Sequence, residues 1–436
     1  MLNRHQGFLI YLQAAEICRE KKIPNNFTDG VPGKAWYYSF LKRHPTITAR
    51  ESMSLSFQRA NVTTADLAKW FGDLKDYLIE QDCLDILDDP SRIYNADESG
   101  FPFCPKTGKV LAPKGLKHVY KLTNSDKTQI TVLPCVSASA HYIPPMLVYP
   151  GIRFSYDPLE KFPEGILGRS PNGWMTGDLF AFWLEKVFYE HINRRHVKLP
   201  VLLLIDGCKS HIILEAGEFC QQKRIILYCL PPNSTHLTQP LDLVFMNVIK
   251  HNWKKEVRKF SVQHPGVVIS KRNFAEVFGP AYHATATTEV AVNGFKKGGI
   301  FPFNPDAIPK SKLSVNEVFN TENAENAVVP STPSSSATAV SEPEPALPSA
   351  SKDLEPSLPN DGLSDILSLP KAKTRPVRQQ KLPLIVSSQE MVEYLREKKM
   401  AKEKLEQEKA ERKRKREEKA LEKQLQKVND TYVLLL

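Results

Sequence analysis

The run PVLLLIDG, residues 200–207, is the most restrictive stretch of this 436-residue sequence. Val201 to Ile205 are apolar without a break, so a strand here has no polar face to turn to water. Such a strand must be covered on both sides, as strands in helix-flanked parallel sheets are. The run then stops on Asp206. A charge at the end of a buried strand is costly unless it is paired, so this acid marks a site rather than a surface.

The neighbouring sequence repeats the α/β pattern over residues 91–305. RIILYCLPP is a second apolar run, SRIYNADESGF reads as a strand ending in acid, and TQITVLPCVSASA is rich in β-branched residues. Helical spacing appears in TGDLFAFWLEKVFYEHI, through Leu179, Phe182, Trp183 and Val187, and HIILEAGEFCQQ reads as another helix. A further helix opens at Pro240, with Leu241, Val244, Phe245, Val248 and Ile249 at i, i+3, i+4, i+7 and i+8.

Three acids fall at the ends of these elements: Asp97, Asp206 and, 36 residues later, Asp242. Carboxylates at the carboxyl ends of neighbouring strands share one edge of a sheet, where open α/β folds keep their sites. Their mutual repulsion asks for a divalent cation, and oxygen ligands suit Mg2+ or Mn2+. Such a site has the chemistry for phosphodiester cleavage. Asp242 alone, at a helix start, also fits a capping role. Glu98 follows Asp97 directly, and strand alternation would aim it away from the site.

The flanks differ in character. Residues 1–66 are basic and helical in pattern, with YLQAAEICREKK and GKAWYYSFLKRH as two helices; over 1–62 there are nine Lys and Arg against four Asp and Glu. Trp36, Phe40 and Leu41 share a face as a small core, and Lys34, Lys42, Arg43, Arg50 and Arg59 surround it. A helical connector over 67–90 leads to the α/β domain. Residues 306–387 are Pro- and Ser-rich and too polar to offset their ordering entropy, so disorder is expected. Residues 388–436 read as a solvated charged helix, with too few apolar positions for a coiled coil. The run Arg412–Arg416 (RKRKR) points to the nucleus or to nucleic acid.

Net charge +10 and a pI near 9.0 favour a polyanionic partner, nucleic acid before anionic membrane, although an ordinary basic protein would also fit. No run of 18 apolar residues exists, so no membrane span is expected, and the N-terminus lacks the pattern of a signal peptide. Seven cysteines without a CxxC pair fit a reducing compartment.

YNADESGF, KVLAPKG, ITVLPCVSAS with YIPPMLVYPG, SPNGWM, LLLIDGCKSH, LPPNSTHLTQPLD and GFKKGGIFPFNP follow one another in order. This series resembles the DDE endonuclease domain of pogo, Tigger and Jerky-type transposases. The resemblance implies a ribonuclease H-like fold with Asp97, Asp206 and Asp242 as catalytic metal ligands. It assigns supporting roles to His211, to Gln239 and Pro240 beside the third acid, and to Asn233 in the preceding loop. Cys208 stands where many relatives carry His or Asn, and is expected as a small buried apolar group. The basic N-terminal piece resembles the second of two helix-turn-helix modules of centromere-protein-B type. Lys34, Trp36, Lys42, Arg43, Arg50 and Arg59 then become candidate contacts to double-stranded DNA. Two functions follow as expectations: a metal-dependent DNA endonuclease and strand-transferase, or a non-catalytic nuclear DNA-binding protein of the same descent, either of them open to homodimerisation.

Overall fold

The computed structural model describes residues 8–48, 56–105, 128–151, 153–309, 313 and 385–433. Two compact units are present, Met1–Arg59 and Ala60–Leu436.

In the first unit, α1 (Phe8–Glu20) and α2 (Lys34–Arg43) flank a short turn at Thr28–Gly30. The helices meet through Tyr11 and Tyr37, whose rings are edge-on at 5.9 Å. Trp36 stacks on Phe40 at 5.3 Å and meets Phe27 edge-on. No residue of α2 is fully buried, so this core is thin. A short helix, α3 (Phe57–Ala60), follows in sequence.

The second unit is built on a seven-stranded sheet. It begins with α4 (Thr64–Glu80), which starts on a reciprocal cap: Asp66 N–H donates to Thr63 Oγ1, and Thr63 N–H donates to the Asp66 carboxylate. α4 is more than a connector. Leu67, Trp70, Phe71, Leu74 and Leu78 are buried in the core, each stabilising by roughly 1.5–3 kcal/mol. The Trp70 indole N–H donates to Cys229 O at 3.0 Å.

The strands are β1 (Ile93–Ala96), β2 (Ser99–Pro102), β3 (Gln129–Ser137), β4 (Tyr142–Pro150), β5 (Ile166–Ser170), β6 (Val201–Ile205) and β7 (Ile225–Cys229). Their order is β5-β4-β3-β1-β6-β7, with β2 also on β3. β1, β3 and β4 pair antiparallel, whereas β6 and β7 run parallel to β1. Three antiparallel strands followed by two parallel ones, with the first strand central, is the ribonuclease H-like arrangement; β5 extends it, parallel to β4.

β6 shows why its sequence is unbroken. Leu202 and Leu204 enter one apolar cluster, and Val201, Leu203 and Ile205 enter the other. One face is covered by α4, α9 (Met246–Gln263), α10 (Phe274–His283) and α11 (Thr288–Lys297). The other is covered by α5 (Gly177–Trp183), which runs on through a π-helical turn into α6 (Glu190–Arg194), and by α7 (Leu214–Gln222); the short α8 (Thr235–Thr238) then leads to Pro240.

The long C-terminal helix α12 (Gln389–Val433) departs from a wholly solvated element. Ile385 pairs with Tyr228 on the edge strand β7, Val386 N–H donates to Leu227 O, and Leu227 N–H donates to Ser387 Oγ. Val386, Met391, Val392 and Leu395 are buried, and Arg396 and Lys399 pair with Glu218 and Glu215 of α7. The chain is thus fastened to the sheet edge before its charged portion begins. Of the linker expected to be disordered over 306–387, residues 314–384 lie outside the described residues, but its ends are ordered: Pro305–Ala307 form a helical turn, Ile308 and Leu313 are buried, and Val386 and Ser387 sit against β7.

Candidate active site

The site grows from an interruption in a β-ladder. β1 and β2 pair with successive stretches of β3 in one unbroken register: Ala96 opposes Cys135 and Ser99 opposes Val132. Asp97 therefore opposes Pro134. Asp97 N–H reaches Pro134 O at 3.4 Å, but proline has no N–H to return. The ladder lapses at Asp97 and Glu98, which form a break between two strands.

The parallel register of β1 on β6 places the second acid. Asn95 lies opposite Leu204, so the two strands end abreast and Asp97 and Asp206 follow at the same level. Adjacent strands run about 4.8 Å apart. Asp242 comes from a π-helical turn, Leu241–Phe245, that opens behind Pro240 and leads into α9. Gly294 and Gly298 of the last helical segment make this placement possible. A side chain at Gly294 would put its Cβ 2.6 Å from Pro240 O, and one at Gly298 would meet Thr238 O at 2.8 Å.

The four acids lie within electrostatic reach of one another. Burial pushes the Asp97 carboxyl well above the usual range, and charge repulsion from Asp242, Asp206 and Glu98 adds to it, with the Gln239 side chain working the other way. Asp97 is only 9% exposed. Asp206 behaves differently. Burial would raise it, but His211 and the Cys208 N–H, donating at 3.2 Å, outweigh that and leave it below the usual range.

His211 sits between two acids, 1% exposed. Its Nε2 lies 2.8 Å from Glu98 Oε1 and its Nδ1 2.8 Å from Asp206 Oδ1, the latter too poorly angled for a hydrogen bond. Burial favours the neutral ring, yet the close carboxylates of Asp206 and Glu98 raise it to about 10. Phe180 packs on the ring at 4.4 Å.

Two expectations need correcting. Glu98 does not turn away: its carboxylate shares His211 with Asp206, and ligand atoms of Glu98, Asp206 and His211 lie within 4.8 Å of one another. Alternation governs residues inside a strand, and β1 ends at Ala96. Cys208 is exposed rather than buried, because it lies in the turn after β6; Ser210 Oγ donates to its sulfur at 3.3 Å.

Of the supporting residues, Gln239 is fully buried and donates to Ala96 O at 3.4 Å. Asn233 holds a left-handed turn at φ 61°, a conformation asparagine tolerates better than most residues. Lys34, Lys42, Arg43 and Arg59 are exposed in the first unit, while Trp36 is half-buried in its aromatic stack. Arg50 and the KVLAPKG segment lie outside the described residues. Glu98 and the buried Asn95 are the members that the sequence reading left out; a polar residue inside the otherwise apolar strand IYNA was the available signal for Asn95.

Among the described residues no helix is long and apolar enough to cross a membrane. Residues 127–270 match the family model for the DDE superfamily endonuclease, a span that holds Asp206 and Asp242. A human protein, "Pogo transposable element with KRAB domain", is 30% identical over 157 residues, covering 34% of this chain and 24% of its own length. A chain from Cochliobolus lunatus named "MFS-type transporter clz9" is 29% identical over 230 residues, covering 51% of this chain and 24% of its own. This chain thus spans about a quarter of the length of these two relatives. Among solved structures, the Mos1 mariner paired end complex with Mn is similar at 12% identity and TM-score 0.37, over 64% of this chain and 73% of that one. Over these spans the chain is similar to pogo-type, transposase-derived proteins, and residues 127–270 match a DDE superfamily endonuclease domain.

Proposed function

We propose that the protein is a metal-dependent DNA endonuclease of transposase type. The observation that carries this reading is the clustering of ligand atoms of Glu98, Asp206 and His211 within 4.8 Å of one another, with Asp97 and Asp242 in electrostatic reach of them. His211 lies among them, and the donor set is rich in oxygen. Hard divalent cations suit such a set. Asp97, Asp206 and Asp242 would hold Mg2+ or Mn2+, with Glu98 as a further oxygen donor. Bound there, the cation would polarise a phosphodiester and ease deprotonation of the attacking hydroxyl.

The protein's own groups have distinct tasks. His211 orients Asp206 and Glu98 from below, and Gln239 supports Asp97. DNA recognition is assigned to residues 1–66, whose cations contact phosphates and set register while few side chains reach base edges. Residues 91–305 carry the chemistry. Nuclear residence follows from the basic run Arg412–Arg416, in the part of α12 that lies beyond its anchored start.

The test is nicking of supercoiled DNA bearing the cognate ends in Mn2+, by the parent and by Asp97→Asn, Asp206→Asn and Asp242→Asn. The parent nicks and each variant loses activity, while DNA binding stays within about twofold. Equal nicking by all four would assign the activity to another site or a contaminant. DNA binding without nicking by the parent would mark a non-catalytic DNA-binding protein.

A further inference from the structure

We propose that Asn95 is the positioning residue that sets the spacing of the three acids. It precedes Asp97 by two residues on β1 and is completely buried. Its Nδ2 donates to Leu204 O at 2.9 Å, on the backbone two residues before Asp206. The same Nδ2 donates to Gln239 Oε1 at 3.3 Å, and Asn95 Oδ1 accepts from Leu241 N–H at 3.0 Å, one residue before Asp242. One carboxamide therefore touches the chain just upstream of both remote acids while lying upstream of the third itself.

The orientation of the amide is fixed by its partners. Leu204 offers only a carbonyl, which must face the NH2 group, and Leu241 offers only an N–H, which must face the oxygen. A reversed amide would oppose two oxygens at one end and two donors at the other. Gln239 is set in the same way, because its Nε2 faces the Ala96 carbonyl. The two amides form a buried chain from Leu241 through Asn95 and Gln239 back to β1. No other residue type reproduces this: aspartate lacks the donors, leucine lacks everything, and glutamine is one methylene too long for a close-packed site.

β6 is already held to β1 by its ladder, but Asp242 comes from a helical turn with no strand pairing of its own. The Asn95–Leu241 bond, with the Gln239–Ala96 bond beside it, ties that turn to the sheet at the level of the other acids. Loss of an orienting partner behind metal ligands typically costs about 10–100-fold in metal affinity.

The inference rests on the shared-cation reading, so the measurement is Mn2+ binding by the full chain, by calorimetry and by thermal shift. Asn95→Leu keeps the branched shape and removes the bonds; Asn95→Asp, which keeps only the acceptor, serves if that variant does not fold. Val148→Ala, in buried β4, controls for loss of stability alone. Half-saturation by Mn2+ is expected to rise at least tenfold in the Asn95 variant and less than twofold in the control. Equal half-saturation in parent, Asn95 variant and control overturns the role of Asn95 and leaves the endonuclease reading standing. Mn2+ binding by the parent without nicking overturns the endonuclease reading and leaves Asn95 in its role. A parent that binds no Mn2+ overturns the shared site and the role of Asn95 together.

Discussion

Asp97→Asn should make the metal-free protein more stable while abolishing nicking. Asp97 is buried, hydrogen-bonded by the Glu98 N–H at 2.9 Å, and surrounded by three carboxylates, of which His211 directly bridges only Glu98 and Asp206. An acid whose folded pKa lies above its ordinary value of 3.8 contributes stability that is full below that value. That contribution is lost as pH rises through the folded value. At neutral pH the buried Asp97 carboxyl is therefore a cost, and asparagine, of the same shape, cannot ionise. The gain should be about 1–3 kcal/mol, the range for a buried polar group with incomplete partners. For a unit of this size that is a rise of roughly 2–6 °C in Tm. Mn2+ reverses the order. At a hundred times its dissociation constant a cation stabilises the parent by about 2.7 kcal/mol, and the variant gains less. Thermal unfolding of both proteins in EDTA and in Mn2+, at pH 7 and pH 4.5, reads all of this. The curves should cross between EDTA and Mn2+, and the EDTA gap should narrow at the lower pH. A variant no more stable than the parent in EDTA at pH 7 would falsify the account of Asp97 as a strained cation ligand.

Further tests probe the scaffold and the flanks. Gly294→Ala places a Cβ against the Pro240 carbonyl, with backbone on both sides, and should cost about 1–3 kcal/mol and weaken the Mn2+ response; Gly72→Ala in α4, with open space at its Cβ, should stabilise by up to about 1 kcal/mol. Lys42→Ala with Arg43→Ala, at the exposed end of α2, should flatten the log–log salt dependence of DNA binding by roughly two units, since each phosphate contact contributes about 0.9; an unchanged slope would remove both from the DNA contact set. Replacing Arg412–Arg416 by alanines in a fluorescent fusion should lower nuclear accumulation, and unaltered accumulation would exclude this run as the import signal.

What the sequence disclosed followed from local pattern. The apolar runs of β6 and β7 and the acid that ends β6 needed no tertiary knowledge, because a fully covered strand has one composition and its end has another. β4 was hidden because Pro144 and Pro145 argue against a strand. The sheet accommodates them at a register slip, between Leu133 and Cys135 of β3, where the missing N–H groups coincide with Pro134. α10 was hidden by Gly279 and Pro280, which read locally as a turn. A Cβ at Gly279 would stand 3.0 Å from the Phe162 ring, a tight approach that glycine relieves. Asn95 and Glu98 were missed for a different reason. Their roles depend on residues more than 100 positions away, and no periodicity records that.

The C-terminal helix shows how composition can conceal an anchor. Over α12 as a whole the charge density is that of a solvated helix, and most of it is exposed. The apolar positions that matter are confined to Val386, Met391, Val392 and Leu395, at the extreme start. Averaged over 45 residues they vanish. In the structure they cover the edge of the sheet. β7 is the last strand on its side, and an open edge invites pairing with another chain. The Ile385–Tyr228 pairing and the two bonds at Leu227 occupy that edge with the protein's own backbone. Gly217 of α7 lets the returning segment lie close, since a Cβ there would be 2.9 Å from Val386 O. The strand whose neighbour ends in Asp206 is therefore closed off by a segment 160 residues downstream. The folded core that holds the candidate active site thus includes residues 385–399 as well as the contiguous domain the sequence marks out.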